Sequence, residues 1–207
     1  MKYILIILLF LVSVNIYAQD EKPAFDGHKW EAPYHLPIPK GWGIERFLIP
    51  ISFAPQIPYK GVEDIRFTPG WANDKTDEYW TYSFLWYLDG NIKINTKIIE
   101  ENLTNYYTGL FLVNTDSATA ADKKFPPVVT SFKKNKKVSN SFETYTGTIQ
   151  MTDYMKRTPI TLNCIVHLRY CAEENKTIIF HELSPKPLDD KVWLPMIRLW
   201  LDFKCRK

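Results

Sequence analysis

Cysteine is scarce: three residues in 207 are too few for a fold built on disulfides. Glycine is scarce as well, and eight Gly beside 14 Pro exclude a collagen-like or Gly-rich fibrous chain. No excess of one charge exists. The 26 Lys+Arg against 23 Asp+Glu give +3, without the concentrated basic surplus of a nucleic-acid binder, so no nucleic-acid partner is expected. After residue 18 no apolar run approaches the ~20 residues of a spanning helix, so no transmembrane segment is expected in the mature chain. Reactive motifs are missing too. There is no Gly-x-Ser-x-Gly elbow, no phosphate-binding Gly loop and no His-Glu-x-x-His. No catalytic residue, metal ligand or cofactor is therefore assigned from motifs.

What is present is apolar and aromatic material. At 45% hydrophobic, 15% aromatic and 24% charged, the chain has enough for one well-filled core. Residues 1–18, MKYILIILLFLVSVNIYA, place Lys2 before an apolar run broken only by Ser13, and Ala18 offers a small residue for cleavage. This is the layout of a secretory signal peptide, and its ending resembles bacterial ones. A periplasmic or secreted location is expected. No Cys follows the run, so lipid attachment is not indicated. Removing Lys2 leaves 25 − 23 = +2. An oxidising compartment permits disulfides. Among Cys164, Cys171 and Cys205 the odd count leaves at least one thiol unpaired. Cys164 sits in an apolar alternation, and Cys171 with Cys205 is a candidate bridge.

Three zones follow the leader. Residues 19–71 hold eight prolines together with Trp30, Tyr34, Trp42, Phe47, Phe53, Tyr59, Phe67 and Trp71. Proline forbids long regular elements, yet a disordered linker would not carry these rings. An extended wrap over the main domain is expected, with two short strands near 46–53 and 63–67. The main domain spans 72–207. In 78–88 both alternating sets are rich in aromatics, so this strand is expected to be covered on both faces. From Asn95, residues Ile98, Ile99, Leu103, Tyr106 and Leu110 recur at helical spacing. A three-strand meander is expected over 142–153, 160–171 and 177–183. A closing helix over 190–204 carries Val192, Met196, Leu199 and Phe203 on one stripe. Pro195 is tolerated only in its first turn, so the helix starts late or kinks.

The predicted fold class is α+β: an antiparallel sheet with two helices packed on it, behind a Pro/aromatic-rich wrap. The order is compatible with helix-grip-like architectures, in which the last helix lies over a cavity. In the meander, Ile160, Leu162, Cys164, Val166, Leu168 and Tyr170 alternate with a mostly polar set that includes His167 and Arg169. Symmetric hairpins would place residue 171 opposite 177 and 153 opposite 160. His167 would then face His181 and adjoin Thr146. Thr146, His167, Arg169 and His181 form the candidate ligand-binding face, although Thr-rich exposed strands are also ordinary solvated surface. A one-residue slip would destroy the arrangement.

Other constellations weigh less. His28, Glu31 and His35 would share a helix face, but Pro33 and Pro37 forbid that helix. The six Lys within 123–137 read as a solvated hairpin tip, or as contact with an anionic surface. The leading functional expectation is an exported, non-catalytic binding or interaction module. Its partner would be a small amphiphilic ligand, held beneath Trp193, Met196 and Trp200, or a cell-envelope protein. The rival is a hydrolase-like enzyme with His167 or His181 as general base and Arg169 as anion holder.

Overall fold

A computed structural model describes residues 25–115, 125–135 and 143–206. The signal-peptide reading over 1–18, and parts of the lysine-rich tip, lie outside these residues. Seven strands form one antiparallel sheet: β1 (Gly43–Ile49), β2 (Gly61–Phe67), β3 (Tyr82–Asp89), β4 (Val129–Lys134), β5 (Glu143–Thr152), β6 (Pro159–Cys171) and β7 (Lys176–Ser184). Among the described residues two helices complete it, α1 (Thr96–Val113) and α2 (Trp193–Asp202). The spatial order is β1-β2-β3-β7-β6-β5-β4. The fold is α+β, as its sequence predicts. The two strands of the proline-rich zone belong to the main sheet: β2 pairs with β3 from Gly61↔Leu88 to Phe67↔Tyr82.

Local chemistry explains the elements. β3 is buried on both faces from Tyr82 to Leu88, because its two alternating sets both find partners. α1 starts where Asn95 Oδ1 accepts a hydrogen bond from the Ile98 backbone N–H at 3.0 Å, satisfying one of the free donors of the first turn. α2 begins at Trp193, which puts Pro195 in its first turn, where the missing N–H costs no helical hydrogen bond.

The helices take opposite faces, and here the structure corrects the sequence reading. Leu162, Cys164 and Val166 face the core that α1 covers through Leu103, Tyr106 and Tyr107. α2 lies on the other face, where Leu199, Trp200 and Phe203 pack with Leu85, Tyr87, Ile178, Phe180 and Tyr34. The terminal helix therefore covers the side of His167 and Arg169, not the oily set of β6. Two aromatic contacts hold it there: Trp200 stacks on His167 at 4.9 Å, and the Arg169 guanidinium sits 5.0 Å from the Trp200 ring centre. The chain before β1 joins this layer, with Tyr34 and Leu36 buried and His35 paired to Lys204 through the backbone.

The second correction is register. β6 and β7 pair as Cys171↔Lys176, so His167 opposes Phe180 and His181 opposes Val166. The reason is the turn. Asn175 adopts a left-handed φ of 49° and its N–H bonds to the Ala172 carbonyl at 3.2 Å, closing the loop one residue early. β5 and β6 pair as Thr152↔Pro159, which sets Thr144, not Thr146, opposite His167. Cys171 and Cys205 form a disulfide with Cα atoms 5.7 Å apart, and Cys164 is a free, buried thiol.

Candidate functional site

The predicted polar face is only partly assembled. Thr146, His167 and Arg169 share one side of the sheet, while His181 lies on the other. Thr146 Oγ1 donates to Asn135 Oδ1 at 2.9 Å. His167 bonds Thr144 Oγ1 through Nδ1 at 3.0 Å and Glu182 Oε1 through Nε2 at 3.2 Å. That hydroxyl–imidazole–carboxylate chain lies under Trp200, and Glu182 is buried. It braces the α2 layer. Arg169 donates to the Phe203 carbonyl at 3.3 Å and is committed to the same layer. His181 is buried in the α1 core, stacked 4.0 Å from Phe84, and burial pushes its pKa down to about 3. It stays neutral, on the far side of the sheet from Arg169. The two imidazoles therefore do not share a face, and only His167 lies on the side of Arg169.

A different site forms on the α1 side. β1, β2 and β3 present Glu45 and Phe47, Ile65 and Phe67, and Tyr82 to one face by strand alternation. The C-terminal half of α1 approaches that face with Tyr106, Leu110 and Val113. A cavity of about 340 Å³ opens between them. Trp71 and Trp80 from the β2–β3 loop, Phe53 from the β1–β2 loop and Tyr154 from the β5–β6 loop complete its walls. The volume falls within the ~300–1,000 Å³ range of small-molecule pockets. Eight of its lining residues carry aromatic rings. Phe47, Phe53, Phe67, Trp71 and Tyr154 are only half-buried, which is unlike rings that simply fill a core.

Specific local structure holds these rings. Gly109 lets α1 meet the β1–β2 loop, since a Cβ there would stand 1.8 Å from the Phe53 carbonyl oxygen. Phe53 can then pack edge-on against Tyr106 at 5.1 Å. The β2–β3 loop is stitched by Thr68 Oγ1 donating to the Thr81 carbonyl at 2.8 Å and by the Gly70 N–H donating to Glu78 Oε2 at 2.6 Å. Its Trp71 stacks on Phe67 at 4.4 Å. Trp80 closes the loop through its N–H to the Trp71 carbonyl at 2.8 Å, with φ at 55°. For a bulky residue the left-handed region costs about 1–2 kcal/mol, and such strain concentrates at ligand-binding positions. Tyr154 packs on Trp80 at 5.2 Å.

Two polar features stand out. Trp80 Nε1 is fully buried, with the Tyr79 hydroxyl as its polar neighbour. Glu45 is exposed at the cleft and makes no ion pair or hydrogen bond among the described residues. Beneath the cleft, Tyr106 Oη donates to Glu63 Oε1 at 2.6 Å and Trp86 Nε1 donates to Glu63 Oε2 at 2.9 Å. Glu63 is fully buried, and desolvation pushes its pKa up to about 8 against those two hydrogen bonds. The same burial, with the Glu63 charge beside it, raises the Tyr106 hydroxyl well above the usual tyrosine value.

Sequence reasoning named Phe47, Phe53, Phe67, Trp71, Trp80, Tyr82 and Tyr106 as apolar residues but not as a site. They come from separated segments, and no local period links them. The surplus of rings in the proline-rich zone was the available signal. No protein-family model matches the chain, and neither a curated protein nor a solved structure shows significant similarity to it.

Proposed function

We propose that the protein is an exported bacterial binding module, without a catalytic centre of its own, that holds a small amphiphilic ligand in the cleft beneath α1. The observation that carries this reading is the cleft itself: about 340 Å³ of space walled by half-buried rings, with the Glu45 carboxylate at its edge. Apolar walls with a few placed polar groups are the usual makeup of a ligand pocket. The site lies under α1, whereas Met196 and Trp200 of the terminal helix are buried as packing. Export is supported by the leader-like first 18 residues and by the Cys171–Cys205 bridge, which suits an oxidising compartment.

The test is titration with the neutral dye N-phenyl-1-naphthylamine, read by its fluorescence and by tryptophan quenching. Saturable binding at one site is expected. Phe53→Ala and Trp71→Ala should each weaken it about tenfold, the scale of one ring's lost apolar contact. Unsaturable binding, or an affinity indifferent to both truncations in folded protein, would overturn the reading.

A further inference from the structure

Among the described residues the cleft carries one charge, Glu45, which makes no ion pair or hydrogen bond with them. Glu45 lies on β1 between Gly43 and Phe47 on the cleft face, with Ile65 directly across on β2. Among the described residues no lysine or arginine lines the cleft. The Arg46 next in sequence points to the opposite face, where its Nε lies 3.1 Å from the buried Asp64. Glu45 is also felt across the cleft: after burial itself, and with the closer Asp153, its charge pushes up the hydroxyl of Tyr154.

A carboxylate in a cleft walled by Trp71, Phe67, Phe47 and Tyr154 is a defined chemical environment. Aromatic faces carry negative potential and attract cations that shed water easily, and quaternary ammonium groups do so best. An anionic ligand would meet Glu45 and the same π-faces, both repulsive. A neutral ligand would leave the carboxylate without use.

We infer that the cleft binds a small organic cation of the alkylammonium class, with Glu45 as counter-charge and the aromatic walls as cation–π partners. This rests on the cleft being a ligand site and names the chemistry of its ligand. It requires no reaction: the cation enters and its methyl groups replace water against the rings.

The experiment is displacement of N-phenyl-1-naphthylamine from the full mature chain by choline and by its neutral isostere 3,3-dimethyl-1-butanol, which has the same shape and hydroxyl. Choline should displace the dye about tenfold better, as a desolvated cation–π contact predicts. Raising ionic strength should shrink the preference, because Glu45 is exposed to solvent. Glu45→Gln should remove most of it, and Glu45→Lys should reverse it, each measured against the variant's own dye affinity and with native circular dichroism. Equal displacement by the two isosteres, with the dye still bound, overturns the cation and leaves the cleft as an apolar site. A preference that survives Glu45→Lys overturns the counter-charge role. Failure of the dye itself to bind removes the ligand site and this inference with it.

Discussion

Glu63 shows how one residue can set the pH response of this fold. It sits on β2 with both oxygens accepting hydrogen bonds, yet desolvation dominates and its folded pKa is about 8, against 4.5 in an exposed chain. Its proton is therefore held more tightly in the folded state. The stability this contributes is fully present below about pH 4.5 and is lost as pH rises through about 8. His181 works in the other direction. Its folded pKa of about 3 lies below the ordinary 6.5, so it removes stability as pH falls below 6.5 and is silent above. The window from 6.5 to 8 thus isolates the carboxyls. Unfolding in urea should show stability falling across that window in the wild-type chain. In Glu63→Gln, which keeps the shape and an acceptor for Tyr106, the fall should be clearly smaller, and the variant should be the more stable at pH 8. Equal slopes in the two proteins would refute the assignment.

At the scale of elements, Gly109 sets two effects against each other. Inside an ordinary helix, Gly→Ala stabilises by about 1 kcal/mol. At this position the added methyl meets the Phe53 carbonyl at 1.8 Å, and backbone cannot swing aside as a side-chain tip can. Overpacking of this kind costs about 1–3 kcal/mol or more. Gly109→Ala should therefore destabilise the protein, lowering its melting temperature, and should also widen the cleft by displacing Phe53. A stabilised Gly109→Ala variant would show that α1 and the β1–β2 loop are not in contact. Sequence made Gly109 visible only as a weak helix residue, because its partner lies 56 positions away. The elements themselves were largely legible. β3 showed itself by rings on both alternating sets, α1 by Asn95 and its repeat, and β6 by its clean alternation. What was not legible is relational. The one-residue shift that parts His181 from His167 depends on the backbone of Asn175, and amphipathic pattern alone does not say which sheet face a helix takes. The cleft depends on loops from three separate connections meeting at one helix end, which no local window contains.

At the scale of the whole molecule, one sheet separates two apolar layers with different reinforcement. The α1 layer, which carries the cleft, rests on packing and hydrogen bonds. The α2 layer carries the Cys171–Cys205 bridge, which ties the end of β6 to the tail beyond α2 and closes a loop with a sequence separation of 34. A loop of that size restricts the unfolded chain by about 3–4 kcal/mol in the chain-entropy account. Because the restriction acts on the unfolded state, losing it should change global stability without reshaping the opposite face. In Cys171→Ser/Cys205→Ser, urea unfolding should show a loss of about 3 kcal/mol. Hydrogen exchange should rise first in α2 and the tail, and the folded variant should bind N-phenyl-1-naphthylamine with unchanged affinity. Cys164, buried on the α1 side with its thiol pKa raised by desolvation, should stay unreactive toward a thiol reagent in both proteins until they unfold. Dye affinity that fell in step with loss of the bridge would show that the two layers move as one, and that the cleft depends on the α2 side of the sheet.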